Sequence, residues 1–143
     1  MSRNVWSWLR QLFSFNNRSG NQAPPDIRPV DLLQYRLEQY MHEKKPFLKP
    51  GYTIKQLGED LQVPSWQLSA HINQKMGMHF SDFLNQYRIR YCIDLIQNGT
   101  AAKLSMNELS TKSGFQNRNT FTNAFKKFTG ESYTEYSKRY FKF

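Results

Sequence analysis

The chain repeats itself, and the repeat limits what it can fold into more than any other feature does. Ile54, Leu57 and Val63 match Met106, Leu109 and Phe115 at an offset of 52. One residue is then inserted, and Leu68, Ile72, Gly77, Phe80 and Phe83 match Phe121, Phe125, Gly130, Tyr133 and Tyr136 at an offset of 53. Each copy reads as a short helix, a tight turn, a second helix with apolar residues four apart, and a glycine stop. Gly58 and Ser110 are small at equivalent places, which lets the second helix of each unit cross close above the first. Gly114 falls at the second turn, where a positive φ costs glycine little; the first copy has Gln62 there. Ser65 and Asn117 are the expected N-caps of the second helices.

The rest of the chain also reads as helix. Asp31 is placed to cap a helix carrying Leu33, Leu37, Tyr40 and Met41 on one stripe. Pro46, Pro50 and Gly51 end it, and Thr53 caps the next, with Ile54, Leu57 and Leu61 inward. A long helix from about His79 to Gln97 joins the two copies. Asn98-Gly99 should stop it by taking left-handed conformations. No segment alternates with period two, so the expected class is all-α: two helix-turn-helix subdomains joined by a long linker helix. Residues 16–29 are a linker by composition. Residues 5–15, with Trp6, Trp8, Leu12 and Phe13 beside Arg3, Arg10 and Arg18, suit an interfacial segment on anionic lipid, the end of a larger parent, or a frayed terminus. The expected division is therefore 1–29, a head and flexible linker, and 30–143, the folded domain.

Charge narrows the function. Lys and Arg number 20 against 11 Asp and Glu, a net of +9 over 143 residues. Residues 112–143 alone hold seven basic and two acidic groups, whereas residues 31–111 hold nine and eight. A balanced middle with a basic end suits a surface that meets a polyanion, either nucleic acid or an anionic membrane. The single cysteine, Cys92, excludes an internal disulfide framework. His42, His71 and His79 have no metal-ligand spacing, and neither a phosphate-cradling glycine loop nor a nucleophile elbow is present. Neither a metal, a cofactor nor catalytic residues are expected, so the chain does not read as an enzyme. Tyr133, Tyr136, Tyr140, Phe141 and Phe143, three or four apart, fit a packed C-terminal helix better than a base-stacking platform.

The second unit, Gly114-Phe115-Gln-Asn-Arg-Asn-Thr-Phe121-Thr-Asn-Ala-Phe125-Lys126-Lys127-Phe128-Thr-Gly130, resembles the DNA-binding domain of AraC/XylS-type bacterial transcription regulators. The first unit is looser but in phase, and the resemblance covers about residues 44–140. Three positions depart from the family pattern. Gly58 stands where Ala is usual, Tyr133 where Pro is frequent, and Ser137 where Arg commonly follows Tyr136. The resemblance implies sequence-specific binding of double-stranded DNA, with the second helix of each unit in the major groove. It also implies RNA polymerase as a partner and a sensor or membrane domain upstream in a longer parent. The implied location is the cytoplasmic nucleoid, either free or tethered to a membrane through that upstream part.

Periodicity selects the side chains that face outward. Leu68 and Ile72 point inward in the first recognition helix, leaving Trp66, Gln67, Ser69, Ala70 and Asn73 to read bases. Phe121 and Phe125 point inward in the second, leaving Arg118, Asn119, Thr122 and Asn123. Gln and Asn match adenine edges, Ala70 or the Trp66 ring a thymine methyl, and the Arg118 fork a guanine edge. Ser65, Lys75, Lys112, Lys126, Lys127 and Lys138 are expected to hold phosphates. A linker helix of about 18 residues is roughly 27 Å long. It could hold the two recognition helices near groove segments about 34 Å apart. The rival from another class is a peripheral membrane or protein-interaction module that uses the N-terminal aromatic/Arg segment and the basic C-terminus.

Overall fold

A computed structural model describes residues 29–141. The N-terminal aromatic segment, the linker up to Arg28 and Phe143 lie outside the described residues. The helices are α1 (Pro29–Lys44), α2 (Ile54–Leu61), α3 (Ser65–Met76), α4 (Phe80–Gln97), α5 (Met106–Lys112), α6 (Arg118–Thr129) and α7 (Tyr133–Ser137). Short 3-10 turns run over Pro46–Leu48 and Thr100–Lys103, and no strand occurs among the described residues. The chain divides between Lys44 and Lys45 into two compact units.

In the first unit, α1 begins at Pro29, so Asp31 lies inside the first turn and is not its cap. Proline suits that opening position because its φ is already helical and its missing N–H has no partner there anyway. Leu33, Leu37 and Met41 are buried along one stripe. The Gln34 amide donates to the Glu38 carboxylate, whose pKa burial raises.

In the second unit, both copies of the repeat start with the same device. Thr53 accepts from Gln56 N at 3.2 Å while Thr53 N donates to Gln56 Oε1 at 2.9 Å. Ser105 and Glu108 repeat this reciprocal capping at 3.2 and 2.7 Å. The turns then close alike: Val63 N donates to Gly58 O at 2.9 Å, and Phe115 N to Ser110 O at 3.1 Å. Gln62 (φ 54°) and Gly114 (φ 92°) are both left-handed, so the first turn keeps its shape without a glycine. That conformation is uncommon outside glycine and carries a cost, here tolerated for the turn it makes.

The second helices differ at their caps. Asn117 caps α6 by accepting from Thr120 N at 2.8 Å. Pro64, not Ser65, caps α3; Gln67 N and Leu68 N donate to the Pro64 carbonyl, and Ser65 is the first helical residue. Pro64 and Asn117 are 53 apart while Val63 and Phe115 are 52 apart, which identifies Gln116 as the inserted residue. Gly77 (φ 64°) and Gly130 (φ 82°) end α3 and α6 as expected. At the end of α4 only Gly99 (φ 85°) is left-handed. Asn98 stays at φ −85°, its N–H donating to the Asp94 carbonyl as the helix runs out.

The core of the second copy is built on the linker helix. Ile89, Cys92, Ile93 and Ile96 of α4 cluster with Leu109, Phe115, Phe121 and Phe125, all buried. Tyr133 and Tyr136 close it, with ring centroids 5.8 and 5.5 Å from Phe125. Tyr133, Tyr136 and Phe141 thus pack half-buried against the core, whereas Tyr140 is exposed beyond the end of α7. Tyr133 fills the place where the family often has Pro, and Ser137 is buried with its hydroxyl donating to Thr134 O at 3.2 Å. Around the first copy, Leu57, Leu61, Val63, Leu68, Ile72, Phe83 and Tyr87 are buried. Gly58 has no room for a side chain, since a Cβ would lie 2.6 Å from Val63 O.

Candidate nucleic-acid interface

The amphipathic split of α3 and α6 presents their polar faces to solvent. Leu68 and Ile72 are 0 % exposed, whereas Trp66 is 73 % exposed, an unusual state for so large an apolar ring. Trp66, Ser69, Ala70 and Asn73 follow one another at helical spacing on one stripe of α3, with Gln67 beside them. Trp66, Gln67 and Asn73 are exposed and Ser69 and Ala70 half-buried. The Asn73 amide donates back to Ser69 O at 3.0 Å, leaving its carbonyl outward-competent as an acceptor.

On α6, Arg118, Asn119 and Asn123 are exposed and Thr122 half-buried, opposite the fully buried Phe121 and Phe125. Arg118 Nε–H points to Met106 Sδ at 3.1 Å, which rests the start of the guanidinium on α5. The Thr122 hydroxyl donates to the Arg118 and Asn119 carbonyls (2.7 and 3.2 Å), so its donor is spent within the helix. Two exposed residues of this region were not anticipated, Gln116 and Thr120. Gln116 is the extra residue in the turn of the second copy. Thr120 Oγ1 lies 3.0 Å from the capping Asn117 Oδ1.

The expected phosphate-holding groups are dispersed. Lys75 sits in the last turn of α3, Lys112 in that of α5, and Lys126 and Lys127 in that of α6. A cation at a helix C-terminus complements the dipole there. Lys138 follows α7, and Ser65 is half-buried at the start of α3. Lys75, Lys112, Lys126, Lys127 and Lys138 are exposed. Lys127 differs from the others because Asp82 of α4 takes its ammonium at 2.9 Å. His71, buried on α3, has its pKa lowered by burial and by the charge of Lys75, both of which favour its neutral form. Burial pushes the Cys92 thiol up to about 12, which leaves it unreactive.

Between the two copies lies a seam that periodicity could not disclose. Arg88 of α4 is 8 % exposed. Its Nε donates to Phe47 O at 2.7 Å, and its terminal nitrogens to Asn85 Oδ1 at 3.0 Å and Lys49 O at 3.3 Å. The guanidinium carbon lies 5.7 Å from the centroid of the Phe115 ring. A cavity of about 330 Å³ opens beside it, lined by Tyr52, Thr53, Phe80, Leu84, Gln116 and Thr120 among others. The clue in the sequence was one arginine on an otherwise apolar stripe, Leu84-Arg88-Cys92, four residues apart. Among the described residues, no His, Cys, Asp and Glu group could hold a metal ion, and no helix is long and apolar enough to cross a membrane.

Residues 57–139 match the family described as helix-turn-helix domain. No curated protein matches the chain significantly. A protein of unknown function from Listeria innocua is similar in structure (TM-score 0.62, 29% identity, 77% of this chain and 98% of that one). So is the C-terminal domain of AraT, a response regulator from Geobacillus stearothermophilus (TM-score 0.63, 27% identity, 78% and 86%). The C-terminal domain of the two-component response regulator yesN from Fusobacterium nucleatum shares the fold (TM-score 0.61, 23% identity, 74% and 98%). With two capped helix-turn-helix units in register on one linker helix, the chain belongs to the AraC-type helix-turn-helix family.

Proposed function

We propose that the chain is a sequence-specific transcription regulator, or its DNA-binding part, that reads one duplex with two helices. The family is one of DNA-binding regulatory domains. The finer reading places α3 and α6 in successive major-groove segments on one side of the DNA. The observation that carries it is the pair of matched units, each burying one face of its second helix and leaving the other face polar and exposed. α4, at 18 residues, spans about 27 Å. That length is close to the distance of about 34 Å between groove faces one turn apart. Trp66, Gln67, Ser69, Ala70 and Asn73 would read one half-site, and Arg118, Asn119, Thr122 and Asn123 the other. Ser65, Lys75, Lys112, Lys126, Lys127 and Lys138 would hold phosphates and set register, Lys127 in competition with Asp82. RNA polymerase as a partner, an upstream sensor or membrane domain, and action at the nucleoid belong to the same proposal.

Selection from randomised duplexes tests this reading, followed by titration of the selected site against anionic vesicles at matched salt. The expected result is a bipartite motif with centres about 10–10.5 base pairs apart. About five cationic contacts would give a log–log salt slope of about −4 to −5. A slope near zero, or vesicles bound more tightly than the selected duplex, overturns it.

A further inference from the structure

We propose that Arg88 is a positioning residue that sets the angle and separation of the two helix-turn-helix units, and so the half-site spacing the chain accepts. The proposal rests on the two-groove reading above. Residues 45–52 form a strap that leads into the first helix-turn-helix copy, and Tyr52 OH, donating to Asp60 Oδ2 at 2.6 Å, ties its end to α2. Arg88 grips this strap by two consecutive-but-one carbonyls, Phe47 O and Lys49 O. The second helix-turn-helix copy meets the strap at the same point. A Cβ on Gly114 would stand 2.2 Å from Phe47 O and 2.8 Å from Leu48 Cα, so the turn backbone lies directly against the strap. The neighbouring Phe115 ring faces the guanidinium. The Phe47 ring in turn stacks on Tyr87 of the linker helix, centroids 5.4 Å apart.

Three elements therefore converge on one carbonyl group: the linker helix through Arg88, the strap through Phe47, and the second turn through Gly114. A guanidinium is suited to this junction because its donors lie in one rigid plane and define an angle, which a flexible ammonium does not. Burial lowers the Arg88 pKa from a value so high that the group remains charged. The Lys127–Asp82 pair also crosses between α6 and α4, but it is partly exposed, and such pairs contribute little. Each added base pair moves the second groove by about 3.4 Å along the axis. A junction held this closely should reject such a shift, and one that has lost its fork should accept it.

The test uses the full chain as wild type, Arg88→Met and Arg88→Lys. Affinity is measured for the selected half-sites separated by spacers varied one base pair at a time, and for each half-site alone. Circular dichroism reports folding. The wild type should favour one spacing by about tenfold or more, and Arg88→Met should flatten that preference to about threefold or less, a loss of about half a tenfold step in Kd or more. Half-site affinities should stay within about twofold, a split that general loss of stability would not produce. Arg88→Lys, which keeps the stem and the charge, should also flatten the profile, and it decides the matter if Arg88→Met fails to fold. A sharp wild-type profile kept by the folded variants overturns the proposal alone. A wild-type profile that is flat across all spacers overturns the two-groove reading and the proposal with it.

Discussion

Lys127 Nζ donates to both carboxylate oxygens of Asp82, at 2.9 and 3.0 Å, joining the last turn of α6 to the first turn of α4. Lys126, its neighbour, is exposed, and among the described residues no carboxylate takes its ammonium in a salt bridge. Two adjacent lysines should therefore behave differently toward DNA. Lys126→Ala should weaken binding to all duplexes alike and lower the salt slope by about one. Lys127→Ala should lower it by less, because a phosphate must compete with Asp82 for the ammonium. Asp82→Asn should steepen the slope by freeing Lys127. Salt titrations of the three variants on one duplex check this, and equal slopes for both alanine variants would refute it.

Arg118 should carry sequence information where Lys126 does not. Its fork fits one base edge, and its Nε is steadied by Met106 Sδ at 3.1 Å. Arg118→Ala should cost about 1–3 kcal/mol on the best site and relax preference at one or two base pairs. Because the residue is exposed, stability should change by no more than about 0.5 kcal/mol. Selection from randomised sites with the variant is the check. An unchanged motif, with equal loss on random DNA, would make Arg118 a backbone contact.

Gly114→Ala should be among the most damaging small substitutions in the chain. The added methyl meets backbone rather than a movable side chain, and φ is +92°. Overpacking of about 1–3 kcal/mol adds to a left-handed penalty of about 1–2 kcal/mol. Gly77→Ala is the control: φ is +64° there, but nothing lies within 4 Å of a Cβ. It should suffer the conformational penalty alone. Chemical denaturation of the two variants should separate them by at least about 1 kcal/mol.

His71 should make stability depend on pH on the acid side of neutrality. Burial and then Lys75 lower its pKa from the ordinary 6.5. The unfolded chain then binds a proton before the folded one does, so stability falls as pH falls through 6.5 toward the folded value. Above the unfolded value the contribution is constant. Urea midpoints for wild type and His71→Gln between about pH 5 and 7.5 should show a shallower acid-side loss in the variant. Parallel curves would count against a buried neutral histidine.

Local chemistry made much of this protein legible in one dimension. Thr53 and Asn117 cap their helices, Gly77 and Gly130 end theirs, and Leu68, Ile72, Phe121 and Phe125 turn inward where periodicity put them. Each of these depends on a residue and neighbours within about one helical turn, so the chain specifies them wherever it lies. The outward faces of α3 and α6 follow from the same rule. Tertiary structure decided the rest. Pro64 took the cap expected of Ser65, and Gln62 went left-handed without being glycine, in the turn that Val63 N closes onto Gly58 O. Arg88 is assigned no role from the sequence, and only the fold brings Phe47 O, 41 residues away, to its Nε. Asp82 and Lys127 meet across 45 residues, and Gly114 lies against Leu48. Such contacts depend on where distant segments come to rest against each other, and no periodicity or capping rule within one helix contains that information.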